Sequence, residues 1–220
     1  MKGLSQARTV ALVVILVAAC STATQRAPSV GAPSLPPVAS PVVQAQADSS
    51  RPAYTAADVQ FMSGMIGHHA QAVEIAGWAP SHGASTAVMA LCERIVVAQR
   101  DEIAFLQRWL RERHEPAPPA DPRGHVMPGM DHPMLMPGML TPAQMAQLDS
   151  ARGKTFDRLF LQYMIQHHEG AITMVDQLFG AQGAAQDGPV FRFAADVHAD
   201  QTTEINRMQL MLDALERSPQ

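Results

Sequence analysis

Met65-Ile66-Gly67-His68-His69 returns 99 residues later as Met164-Ile165-Gln166-His167-His168. The correspondence extends outward at the same offset through Asp58/Asp157, Phe61/Phe160 and Ala72/Ala171. A methionine followed three and four residues later by two histidines lies along one face of a helix. Thioether sulfur and imidazole nitrogen together are donors for a soft transition metal. The same spacing also suits core residues, so the rest of the chain has to separate the two readings.

The first copy lies on a helix predicted from about Thr55, with Asp58 completing a capping box, to about Trp78, before Pro80 and Gly83. Two rows share it, Phe61-Met65-His68-Ala72-Ile75 and Met62-Met65-His69-Ala72-Ala76, both with the spacing of a bundle-facing stripe. A second helix, from about Ala84 to Arg113, carries Cys92, Ile95, Gln99, Glu102, Leu106 and Trp109 in one stripe. Glu102 stands in that apolar row, where a charge is costly unless paired. A last helix, from about Pro189 to Leu215, repeats the pattern with Gln201 and Glu204 in the matching places. The second His-His helix is predicted to start near Thr155 and to end at Gly180 and Gly183. A short helix opened by Thr141-Pro142-Ala143-Gln144 precedes it, with Gly153 as the interruption. Two hairpins, each with an HH helix and a QxxE helix, cannot bury their stripes singly. Their natural product is an all-α, pseudo-symmetric four-helix bundle.

The chain ahead of the bundle reads as export and tether. Lys2 and Arg8 form a basic start, Val10 to Val17 an apolar core, and Val17-Ala18-Ala19-Cys20 a small-residue cleavage site. That apolar run is well short of the roughly 20 residues needed to span a bilayer. Residues 1–19 are thus expected to be a signal peptide. Cys20 resembles the lipidated cysteine of a bacterial lipobox, with simple cleavage nearby as the alternative. By the same resemblance Ser21 would permit outer-membrane sorting. Residues 20–53, rich in Pro, Ala, Ser, Val and Gln, have the composition of a tether. Residues 54–216 form the expected domain. Loss of residues 1–19 removes two bases and no acids, taking the formal charge from −4 to −6. Nucleic acid is an unfavourable partner for such a surface, and membrane contact is expected only through a lipid anchor. With Cys20 lipidated, Cys92 has no internal disulfide partner and reads as a small buried hydrophobe.

Three features could carry chemistry. The doubled Met-x-x-His-His is the first, with Met62 in the same rows; burying an imidazole without a partner costs about 1–3 kcal/mol. Metal ligation and a structural His–Glu network both answer that cost. The second is Glu102 and Glu204 with Gln99 and Gln201, which are expected to orient ligating histidines by accepting their second ring N–H, more than to ligate directly. The third is the linker of residues 114–140, where Met127, Met130, His132, Met134, Met136 and Met139 lie among prolines and glycines that exclude a regular helix. Thioethers there favour Cu(I) or Ag(I) over harder ions; a hydrophobic flap over the bundle is the alternative.

The duplicated F-x-x-x-M-I-x-H-H helix, the Q-x-x-E-I helix and the Met-rich linker, over Thr55 to Leu215, resemble the CopM-like family. The resemblance implies a ferritin-like four-helix bundle, export to the periplasm or envelope, and copper binding linked to copper tolerance. It implies Met65, His68, His69, Met164, His167 and His168 as ligands, with the linker methionines as further candidates. Two departures stand out: Ser63-Gly64 and Gly67 weaken the first helix, and Glu169 has Ala70 as its counterpart. The expected function is therefore binding of Cu(I), or Ag(I), for sequestration or for transfer to another copper-handling envelope protein, with no enzymatic step. Two other classes compete. A metal-free structural bundle is one; a di-iron oxidase is the other, but no Glu-x-x-His motif is present for it.

Overall fold

Thr55 opens the first helix as the sequence predicts. Its hydroxyl accepts the Asp58 N–H at 3.3 Å while the Asp58 carboxylate accepts the Thr55 N–H at 2.7 Å. In the computed structural model, which describes residues 54–124 and 135–217, five helices follow one another. They are α1 (Ala56–Gly77), α2 (Thr86–Glu112), α3 (Pro142–Ser150), α4 (Gly153–Gly180) and α5 (Gly188–Arg217). No strand occurs among the described residues. The expected signal peptide and tether, including Cys20, lie outside them. Helix α1 packs on α2 and α4 on α5, and the two hairpins join along α1 and α4. The fold is a four-helix bundle, with α3 as a capped connector. Helix α4 starts two residues earlier than predicted, because Gly153 takes φ +56° and donates its N–H to the His82 carbonyl at 2.8 Å.

The bundle core falls into two clusters. One takes Phe61, Met62, Met65 and Ile66 from α1 with Ala171, Met174 and Leu178 from α4. The other takes Ala72 and Ile75 from α1 with Phe156, Phe160 and Met164 from α4. The repeat exchanges them: Phe61 lies in one, its counterpart Phe160 in the other. The four motif histidines fall at the junction between the two.

The matched aspartates explain how the hairpins hold each other. Asp58 on α1 accepts the backbone N–H of Ala185, in the α4–α5 loop, at 2.7 Å. Asp157 on α4 accepts that of Ser85, in the α1–α2 loop, at 3.2 Å. Each hairpin therefore supplies the carboxylate that completes the other hairpin's loop. Both carboxylates are buried, where such charge-assisted bonds are strong.

Glycines in the motif helices admit the linker. A Cβ on Gly67 would meet the Asp121 carbonyl at 3.4 Å, and one on Gly64 would meet Met136 Sδ at 3.4 Å. A Cβ on Gly170 would collide with the Pro137 carbonyl. At the α1 glycines the Met136 side chain and the Asp121 backbone stand at ordinary contact distance, whereas at Gly170 the linker backbone leaves no room for a Cβ. Glutamines then hold the passing chain. Gln71 donates to the carbonyls of Leu140 (3.1 Å) and Pro122 (3.3 Å) and accepts the Leu140 N–H at 2.7 Å. Gln166 donates to the Gly138 carbonyl at 3.1 Å. Gly67 and Gln166 are counterparts, as are Gln71 and Gly170, so the two helices use one glycine and one glutamine in opposite order.

Gly170→Ala should cost about 1–3 kcal/mol in denaturant unfolding and expose residues 135–140 to protease, because backbone has to move. Gly77→Ala, at the end of α1 with nothing within 4 Å, should instead be neutral or stabilising by up to about 1 kcal/mol.

Candidate metal centre

His68, His69, His167 and His168 are each 0 % exposed. Helix geometry directs His68 and His167 towards each other across the α1–α4 contact, their ring centroids 3.8 Å apart and tilted by 39°. His69 and His168 turn outward from that pair towards the QxxE helices. The two histidines of each motif therefore face different neighbours.

Those neighbours set the ring tautomers. His168 Nε2 lies 2.6 Å from the Glu204 carboxylate, which accepts its proton. His69 Nε2 stands at the same 2.6 Å from Glu102, off the line of a good hydrogen bond. His68 Nε2 donates to the Pro137 carbonyl at 3.0 Å. The Pro137 carbonyl can only accept, so the proton of the neutral His68 ring is on Nε2 and its Nδ1 carries a lone pair, and Glu204 likewise accepts a hydrogen bond from His168 Nε2. Among the described residues, all four buried Nδ1 atoms lack a hydrogen-bond partner, as do His69 Nε2 and His167 Nε2. A buried acceptor left unmade costs about 1–3 kcal/mol. Neutral imidazole lone pairs with outward N–H groups held by oxygen are the arrangement that a metal-ligating histidine requires.

Electrostatics keep the inner pair neutral. Burial pushes His68 down to about 3, with His69 adding to the effect and the Pro137 bond opposing it. His167 is held well below the usual imidazole range, first by burial and then by the other three histidines. Both rings are ready as neutral ligands. Cys92 is not: burial first, then Asp157, pushes its thiol up to about 12, so at neutral pH it is a protonated, buried hydrophobe, as the sequence suggested.

The predicted sulfur donors divide. Met62 and Met65 belong to one core cluster and Met164 to the other, so Met65 and Met164 bracket the histidine junction from opposite sides. Met139 Sδ already accepts the Met136 N–H at 3.4 Å. Met136 packs beside Gly64, where it comes next to Met174. Met127, Met130, His132 and Met134 lie outside the described residues. Among the described residues, no three His, Cys, Asp or Glu side chains converge as a preformed ligand set. Glu102 and Glu204 stand at the edge of the core, with side chains 26 % exposed. They sit in the apolar row, yet each meets a histidine on one side and solvent on the other. The Pro137 carbonyl is the partner that sequence reasoning missed, since a backbone acceptor from a linker leaves no residue-type signal.

The unfolded metal-free chain takes up protons at these rings as the pH falls through about 6.5, while folded His68 stays neutral until about 3. Stability should therefore be full above pH 7 and decline on acidification, each such histidine adding a slope of up to about 1.4 kcal/mol per pH unit. Denaturant titrations between pH 7 and 5 would read this, and His167→Phe should make the decline shallower.

Comparison with known proteins follows the same lines. No curated protein sequence matches the chain. Among solved structures, a candidate secreted protein from Streptomyces coelicolor is 27% identical, covering 74% of this chain and 96% of its own, at a TM-score of 0.60. A fragment from Deinococcus radiodurans is 28% identical over 74% of this chain and 99% of its own, at 0.61. CopM in its Cu(I)-bound form shares 22% identity over 71% of this chain and 96% of its own, at 0.54, which supports the fold. The profile of DUF305, a domain of unknown function, matches residues 58–212. Those residues span both His-His motifs, both QxxE helices and the linker, and the chain belongs to the DUF305 family.

Proposed function

We propose that the chain is an exported protein that binds copper as Cu(I), and Ag(I) as a second soft ion, for sequestration or transfer in the cell envelope. The observation that carries this reading is the set of four fully buried Nδ1 atoms with no partner among the described residues, on rings of which His68 and His168 hydrogen-bond to oxygen through Nε2 and His69 faces Glu102. His68, His69, His167 and His168 would hold the ion, with Met65 and Met164 on either side and Glu102 and Glu204 orienting the outer rings. Imidazole and thioether favour a soft monovalent ion over hard divalent ones. Such a site stores or hands on an ion and requires no acid, base or nucleophile. CopM, which shares the fold, is known in Cu(I)-, Cu(II)- and Ag-bound forms, which supports copper and silver as the ions. Export rests on the N-terminal sequence; among the described residues no helix is long and apolar enough to cross a membrane. Lipid anchoring at Cys20 and a copper-handling partner belong to the same proposal.

A metal-free structural bundle is the second reading, favoured by the bonds that His168 and His68 already make. It would require buried water on the Nδ1 atoms. Titration with Cu(I) against a competing chelator separates the two. Tight uptake should be lost in His68→Ala/His167→Ala, and Glu102→Gln/Glu204→Gln should weaken it about 10–100-fold. Absence of uptake under reducing conditions would leave the structural bundle.

A further inference from the structure

The four histidine rings have no exposed surface, so an ion must reach them through one side of the bundle. The two sides differ. On the linker side, His68 Nε2 is closed by the Pro137 carbonyl at 3.0 Å. Gly67 and Gly170 bring linker backbone into contact with α1 and α4. On the other side, α2 and α5 are not packed together as the remaining neighbours are. A cavity of about 250 Å³ lies between them.

The residues of this cleft suit a cation. Glu102 and Glu204 line it, and their carboxylates touch His69 and His168 directly behind. Asp200 lies beside them, its carboxyl held above the usual range by burial first and then by Glu102, Asp196 and Glu204. Negative charge is thus concentrated at this opening, with Arg94 and Arg207 also lining it. Gln99 and Gln201, one turn before the glutamates, line the same cavity and are only 3 % and 4 % exposed. Both amide atoms of Gln99 and the carbonyl oxygen of Gln201 are buried without a hydrogen-bond partner. The Gln99 amide and the Gln201 carbonyl oxygen, unpartnered among the described residues, thus set amide oxygens beside the paired carboxylates.

We infer that the α2–α5 cleft is the port through which a monovalent soft cation enters and leaves, held in transit by Gln99, Gln201, Glu102 and Glu204 before imidazole takes it. This inference rests on the histidine site proposed above. The pseudo-symmetric QxxE pairs then have two roles, the glutamates orienting the rings and the glutamines receiving the ion.

The test is rapid mixing of the full chain with Ag(I), following the ultraviolet ligation phase that disappears in His68→Ala/His167→Ala. Ala98→Trp/Thr203→Trp, at exposed positions on the cleft walls, should slow that phase by about tenfold or more. Equilibrium affinity should stay within about twofold. Gln99→Leu/Gln201→Leu should also slow it. Gln60→Trp/Gln177→Trp, at the separate cavity beside Met136 and Met174, should leave the rate unchanged. The parent rate should fall as salt screens the cleft. A rate unaffected by the cleft variants, or lowered equally by the control pair, overturns the port. Absence of the phase in the parent chain overturns the histidine site and the port with it; a normal equilibrium titration with an unaltered rate overturns the port alone.

Discussion

The organising constraint is the burial of four imidazoles at the junction of two duplicated hairpins. Hydrophobic residues would pack there at no polar cost, and each ring nitrogen left unmatched costs free energy of the order of a whole hydrogen bond. The surroundings meet that cost on one side only. Pro137 and Glu204 take the Nε2 side of His68 and His168, Glu102 stands beside that of His69 without a hydrogen bond, and among the described residues nothing takes Nδ1. Packing above and below in two separate apolar clusters isolates the junction, so that His68 and His167 are stable as neutral rings. Most of the distinctive features of the structure follow from keeping this polar layer within an otherwise apolar core.

The linker is the second consequence. A chain that joins two pseudo-symmetric hairpins must cross the bundle once, and it crosses over the histidine-bearing helices. Gly64, Gly67 and Gly170 give it room, while Gln71 and Gln166 fasten it. Its backbone then supplies the acceptor for His68. Close backbone approach demands glycine at Gly170, and the contact also makes the two repeats unequal. His68 has a carbonyl on Nε2, whereas its counterpart His167 has no hydrogen-bond partner on either nitrogen.

Much of this was legible in the sequence, for reasons that can be named. Helix ends carried explicit capping signals at Thr55/Asp58 and Thr141/Gln144, and both form as capping boxes. The three-and-four spacing placed both His-His pairs on the inner face, and the repeated glutamate in an apolar row pointed to a buried partner. What stayed hidden depended on contacts distant in the chain. Asp58 and Asp157 were visible as a matched pair and as a helix cap, but their cross-hairpin bonds to Ala185 and Ser85 require knowing which loop lies opposite. The family resemblance implied both Met65 and Met164 as ligands; the antiparallel meeting of α1 and α4 sets them in different apolar clusters, which only the three-dimensional packing could show.

The reciprocal aspartate clasps have a consequence for how such a domain can be assembled. Each carboxylate reaches a loop of the other half, so no clasp closes within one hairpin. A free-standing hairpin of this kind could satisfy its aspartate only on a second copy of itself, in an isologous pair where each subunit donates what it receives. Joining two copies in one chain keeps every contact of that pair while removing its dependence on concentration. The linker that joins them then becomes free to diverge, and here its described residues lie against the histidine-bearing helices on one face alone, which no symmetric dimer could reproduce.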